Sequence, residues 1–433
     1  MRGNFKEVNG IKRKISGFLV CSGKIDQDSF VWNMMGSMLM AFQSTIMLMV
    51  LTRVVGLTDA GIFTIAYANA NLFLNIGKYS MRNYQVSDVK NKFSFWEYRD
   101  AKKISTWAMV IVSVGYVLVA GTANEYSMKK SMVILWMCLF KVVDAIEDVY
   151  HGLYQQRGRL DIAGKALTIR MTITIFAFAV LLIVLKDLLN ALIWSTVLTT
   201  AIFFLLNNWI FDEFCGWKKK KGNKRKTICL LKECLPLCVG SFLAFYINNA
   251  PKYAIDSYLS DEIQACYGFV AMPVFVIGVL NSFIFSPLIY KISICWEKND
   301  KRGFINILLR QLVVVVIITL ICLAGAYAIG IPVLSAMYNT DLSSYKAELL
   351  VLLIAGGFLA LSGLLGTAIT IIRCQNYLLI GYALVAVIAY ILSPVFVEKY
   401  SMLGASILYA VLTSMLCIIL GLFLISRVRK NGK

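Results

Sequence analysis

The chain has 433 residues, 59% apolar and only 15% charged, with a net charge of +19 at pH 7 and a mean hydropathy of +0.72. Soluble proteins are about a quarter charged, so a soluble globular enzyme is excluded. Eleven cysteines with no CxxC and no Cys/His cluster exclude a zinc site or a disulfide framework. Met1–Gln27 is polar and basic, and its best apolar run, Ile15–Cys21, is too short for the core of a signal peptide. Residues 1–30 therefore read as a cytoplasmic arm. Apolar blocks of about twenty residues follow, enough to cross ~30 Å of hydrocarbon as helix. About twelve occur, near 31–52, 60–80, 103–121, 130–150, 166–185, 188–211, 232–258, 262–290, 306–329, 345–372, 377–397 and 402–426. They are continuously apolar and too long for barrel strands, which alternate over about ten residues. The expected fold is an all-α integral membrane protein.

Charge sets the orientation. With the N-terminus inside and twelve crossings, the outer segments hold only Arg53, Lys129, Lys130, Lys186, Lys346 and Lys399. Lys78, Lys141 and Lys252 are read as lying within the helices, and the remaining Lys and Arg of the 43, including Arg170 and Arg310 near the inner ends of their blocks, as inner-side. Such a bias predicts cytoplasmic termini. The net charge then needs no nucleic acid as a partner. The run Lys218–Lys226 is the densest basic patch and suits topology and anionic-lipid contact. Its loop, 212–231, divides the blocks six and six. The expected organisation is an arm at 1–30, a bundle at 31–211, the linker, a second bundle at 232–426 and a tail at 427–433. Leu57-Thr58-Asp59 and Leu259-Ser260-Asp261 echo each other at the second block of each half, with Thr58 and Ser260 as expected N-caps.

Polar residues inside the blocks point to function. Asn71, Asn75, Lys78 and Arg82 form one helical stripe toward the inner end. The stripe suits a wet, protein-facing surface, or two cations snorkelling to the headgroups. The fourth block ends with Lys141, Asp144, Glu147, Asp148 and His151. A carboxylate cluster with the one histidine suits a proton relay or a coupling cation, and equally an internal ion-pair latch. No soluble pocket accompanies it, so hydrolase chemistry is not expected. Asn248, Lys252 and Asp256 form a stripe on the seventh block, with Asn249 beside it and Pro251 as an expected hinge. Lys252 and Asp256 also suit a simple pair at the outer interface. Arg53 lies at a similar depth. Cations near both ends of the path suit an anionic cargo.

Three segments carry a family resemblance: Gly61–Ser94, Ala145–Lys165, and Asn249-Ala250-Pro251-Lys252-Tyr253-Ala254-Ile255-Asp256. They resemble Wzx-like bacterial polysaccharide flippases, of the multidrug/oligosaccharidyl-lipid/polysaccharide exporter superfamily. The resemblance implies two six-helix bundles around a central cavity, alternating access, and localisation in the bacterial inner membrane. It implies a substrate of oligosaccharide on a polyprenyl pyrophosphate, usually undecaprenyl. Expected partners are membrane lipids, a polysaccharide polymerase and other glycan-assembly proteins. No cofactor is expected beyond coupling by H+ or Na+. On this reading Lys78, Arg82, Arg53 and Lys252 handle the anionic head, and Asn71, Asn75, Asn248 and Asn249 the sugar hydroxyls. Asp144, Glu147, Asp148, His151 and Asp256 serve gating or coupling. Two departures stand out: an acidic end to the fourth block, and Ser286 in Phe285-Ser286-Pro287, where many relatives carry arginine. The alternative is a cation-coupled multidrug antiporter of the same superfamily. A membrane polymerase or ligase would need a large external loop, and the external connections are short.

Overall fold

The computed structural model describes residues 17–88, 91–215, 221–285 and 288–430, and among these every regular element is helical. In chain order they are α1 Ile25–Val54, α2 Leu57–Lys78, α3 Met81–Ser87, α4 Phe95–Ala123, α5 Met128–Gln156, α6 Leu160–Leu185, α7 Leu188–Cys215 and α8 Lys224–Tyr258. Then follow α9 Asp261–Phe285, α10 Leu288–Glu297, α11 Lys301–Gly325, a π turn at Ala326–Gly330, α12 Ile331–Tyr338, α13 Lys346–Ile371 and α14 Gln375–Lys430. The N-terminal arm up to residue 16, Lys218–Lys220 of the basic run, Ser286 and Pro287 lie outside the described residues.

Nine helical segments among the described residues are long and apolar enough to cross a membrane. One of them, Gln375–Val428, has 54 residues, about 81 Å as helix and so enough for two passes. It is broken at Ser401 (φ 52°, ψ −135°), within the loop expected between the last two apolar blocks. The helices α2 and α5 are not among the nine, because the amides of α2 lower its hydropathy and α5 carries too many charges.

The helix boundaries have local causes. A capping box starts α4, with Ser94 and Glu97 exchanging side-chain and backbone bonds. Ser127 caps α5 by accepting from the Lys130 N–H at 3.2 Å, and Asp300 caps α11 through the Gly303 N–H at 2.9 Å. Two successive left-handed residues, Tyr79 and Ser80, separate α2 from α3. At α2 the N-cap is Gly56 (φ 122°) rather than the expected Thr58. The Thr58 hydroxyl instead donates to Glu262 Oε1 at 2.6 Å. A left-handed turn that only glycine enters cheaply has taken over the start of the helix.

The chain divides into two compact units, Met1–Gly56 with Ala66–Cys238, and Leu57–Ile65 with Val239–Lys433. In the first unit α1 lies along α6 with small residues at the contact. A Cβ on Gly164 would stand 2.5 Å from the Asn33 backbone nitrogen, the close approach that small residues permit between membrane helices. In the second unit α13 is the most enclosed of the nine segments and α11 the least, with 56% and 11% of their most apolar stretches buried. Gly61 meets α9 so closely that a Cβ there would lie 1.8 Å from the Asp261 carbonyl oxygen. Large apolar side chains such as Trp107, Phe176, Leu205, Ile321 and Leu422 point outward. That outer surface suits hydrocarbon, while charges are gathered inside.

Candidate functional site

Two polar constellations stand out, one within each unit. In the first, α5 presents Lys141, Asp144, Glu147, Asp148 and His151 on one buried face. Arg170, on α6, is 1% exposed and ties the cluster together. Its guanidinium donates to Glu147 Oε1 at 3.0 Å and Oε2 at 2.6 Å, and to Asp144 Oδ1 at 2.7 Å. Lys141 Nζ donates to Asp144 Oδ2 at 3.0 Å and to Gln43 Oε1 at 2.8 Å, and sits 4.7 Å from the Tyr67 ring centroid. Lys102, on α4, donates to Asp148 Oδ2 at 3.0 Å and to the Lys78 carbonyl at 2.6 Å, which also closes the end of α2. Three cations thus meet three carboxylates. Burying such charges is tolerable only with partners and hydrogen bonds. His151 Nε2 lies 3.6 Å from Glu147 Oε1, too far for a hydrogen bond.

Arg170 and Lys102 were absent from the sequence-derived site. Arg170 read as an inner-side charge near the start of the block expected at 166–185, and Lys102 as one just before the block expected at 103–121. The helices start at Leu160 and Phe95, which carries both residues into the packed interior. Of the inner stripe, Asn71 and Asn75 donate to the carbonyls of Tyr67 and Asn71 at 2.8 and 2.9 Å, along their own helix. Arg82 donates twice to Gln155 Oε1, at 3.0 and 2.8 Å. Burial pushes its guanidinium down from the ordinary value, against an upward pull from Asp148 and Glu147. The Lys78 ammonium makes no ion pair among the described residues. Arg53 is exposed in the last turn of α1.

The second constellation is a cavity of about 490 Å³ within the second unit. From α8 come Asn248, Asn249 and Lys252, from α9 Tyr267 and Phe275, and from α14 Tyr409. Among the described residues no carboxylate lines it. The Lys252 ammonium has neither an ion pair nor a hydrogen bond among the described residues, so no Lys252–Asp256 pair forms although the two are one turn apart. Asp256 is buried outside the lining. Asn249 donates to the Phe245 carbonyl at 3.1 Å. The helix α8 continues without interruption through Pro251, whose ring is buried. The spacing of Asn248 and Lys252 made this wall visible in the sequence, whereas Tyr267 and Tyr409 carry no local signal and join through packing.

An apolar exterior, helices long enough to cross a membrane and charges held inside the helical units mark a multi-pass membrane protein. The fold agrees. It is similar to the inward-facing conformation of a multidrug resistance MATE family transporter of the MOP superfamily, with TM-score 0.69 and 10% identity, covering 90% of this chain and 95% of that one. It is equally similar to the lipid II flippase MurJ in an inward closed conformation, with TM-score 0.69 and 14% identity over 89% and 86% of the two chains. In sequence the chain is 22% identical to the capsular polysaccharide biosynthesis protein CapF of Staphylococcus aureus, over 388 residues, 88% of this chain and 94% of that one. The model of the polysaccharide biosynthesis protein family matches residues 27–293, and the chain belongs to that family. The Wzx-like resemblance read from the three sequence segments thus holds.

Proposed function

We propose that the protein moves a polyprenyl-pyrophosphate-linked oligosaccharide, of the undecaprenyl type, from the inner to the outer leaflet by alternating access. On this reading the chain makes twelve crossings in a bacterial inner membrane with both termini cytoplasmic, and serves O-antigen, capsule or exopolysaccharide assembly. The observation that carries it is the cavity whose charged lining group is an ammonium, Lys252, with no carboxylate to neutralise it. Flipping breaks no bond, so no enzyme chemistry is required. The barrier is the passage of an anion and many hydroxyls past hydrocarbon, where each charge costs ~2.5–3.5 kcal/mol on insertion scales. A cavity with an unneutralised cation and amide donors lowers that barrier while the prenyl tail stays in lipid. Lys78 and Arg82 receive the head at the inner end, Lys252 and Arg53 pass it outward, and Asn71, Asn75, Asn248 and Asn249 meet sugar hydroxyls.

The alternative cargo is an organic cation, which needs a carboxylate to hold it. Asp144, Glu147 and Asp148 are each committed to Arg170, Lys141 or Lys102, which supports the anionic cargo and a latch role for these acids. Coupling to H+ or Na+ through these three acids would have to release one of those pairs. Membrane lipids, a polysaccharide polymerase and other glycan-assembly proteins are the partners of this reading. The test is reconstitution in proteoliposomes with a fluorescent polyprenyl-pyrophosphate oligosaccharide and, in parallel, a fluorescent organic cation. Translocation of the glycolipid alone supports the proposal, and uptake of the cation alone overturns it.

A further inference from the structure

Lys252 accounts for one charge in the cavity of the second unit, and the other polar groups there are uncharged. The hydroxyls of Tyr267 and Tyr409 belong to residues only 3% and 6% exposed, both line the cavity, and neither has a hydrogen-bond partner among the described residues. The Asn248 amide likewise lines it without a protein partner. Hydroxyls and amides that open onto a cavity without protein partners are left to bond to whatever fills it. Phe275 adds a third aromatic ring to those of Tyr267 and Tyr409 in the lining. Hydroxyls and amides both donate and accept, as sugar hydroxyls do. The cavity, at about 490 Å³, lies toward the small end of ligand sites, ~300–1,000 Å³. It has room for one or two rings, not a whole oligosaccharide. A pyrophosphate bridge carries two negative charges, and the lining offers a single cation.

We propose that this cavity is a subsite for one sugar ring with one adjacent negative charge. Lys252 takes the charge, Asn248, Tyr267 and Tyr409 take ring hydroxyls, and Phe275 takes the apolar face of the ring. The inference rests on the transport reading and deepens it, by making the second unit select the sugar rather than the pyrophosphate as a whole. Two sources supply this chemistry: the phosphate-linked first sugar of the lipid head, or an acidic sugar within the glycan.

The test measures binding of four probes to the full-length protein in nanodiscs: N-acetylglucosamine 1-phosphate, glucuronic acid, N-acetylglucosamine and inorganic phosphate. One of the two acidic sugars should bind at least ten-fold more tightly than the neutral sugar and inorganic phosphate, and which one does identifies the source. Lys252→Gln should abolish that advantage. Tyr267→Phe and Tyr409→Phe, which keep the ring and lose the hydroxyl, should each weaken sugar binding about five-fold, as loss of a neutral hydrogen bond does, without changing phosphate binding. Inorganic phosphate binding as tightly as either acidic sugar, or no effect of both tyrosine substitutions, overturns the subsite. Wild-type glycolipid flipping with unaltered tyrosine variants would remove the subsite and leave the transport reading standing. Tyrosine-dependent binding of an acidic sugar without any flipping would do the reverse.

Discussion

Replacing Arg170 with methionine should unfold the first unit far more readily than any loss of function alone would suggest. The guanidinium is almost wholly buried and makes three hydrogen bonds to two carboxylates. Methionine fills similar space and removes all three bonds. Asp144 keeps Lys141 at 3.0 Å, but Glu147 is left with only His151 at 3.6 Å. Removing one partner of a buried pair costs about 3–5 kcal/mol, because a desolvated charge is left behind. For a unit of roughly 200 residues each kcal/mol is worth about 2–4 °C in Tm, so the melting temperature in detergent should fall by about 6–20 °C. Arg170→Met combined with Glu147→Gln should recover part of that loss, since the stranded charge is gone. The assay is thermal unfolding followed by size-exclusion chromatography. A single variant melting within about 2 °C of the parent, or a double variant less stable than the single, would refute the view of this network as a structural latch.

Lys252→Gln should leave Tm within about 2 °C of the parent or raise it, since no protein group depends on the ammonium and exchanging a desolvated charge for an amide relieves burial cost; thermal unfolding of the same preparations checks this. Gly61→Val should abolish the folded second unit, because a Cβ there would stand 1.8 Å from a backbone oxygen of Asp261 and backbone cannot swing aside; yield of monodisperse protein reads it out. Glu233→Gln should change Tm little, because its ion-pair partner Lys92 is 54% exposed, exposed pairs are weak, and an amide oxygen still accepts from the Tyr84 hydroxyl; thermal unfolding checks this.

The sequence made some parts of this molecule plain and hid others for physical reasons. The apolar blocks locate the helices because a span needs about twenty apolar residues wherever it lies. The stripe of Asn248 and Lys252 was readable because residues four apart share a face. The acid cluster of Asp144, Glu147 and Asp148 was readable for the same reason, but its partners were not. Arg170 and Lys102 come from other helices, 26 and 46 residues from the acids they bond, and only packing brings them in. Helix starts also moved by several residues, since polar first turns such as that of α4 begin before the apolar pattern does. At Thr58 a good capping residue lost its place to Gly56, whose backbone conformation is set by the turn. The tyrosines of the cavity are spaced like any packing residues, and their unpartnered hydroxyls become visible only in three dimensions.

The most direct measurement is glycolipid flipping by the purified protein in proteoliposomes, comparing the parent with Lys252→Gln at equal reconstitution and equal melting temperature. The account predicts that the parent translocates a polyprenyl-pyrophosphate oligosaccharide and that the variant does so at least ten-fold more slowly, as loss of one charge-assisted contact implies. Equal rates in a variant of unchanged stability would show that the unneutralised ammonium of the second unit is not on the path of the cargo.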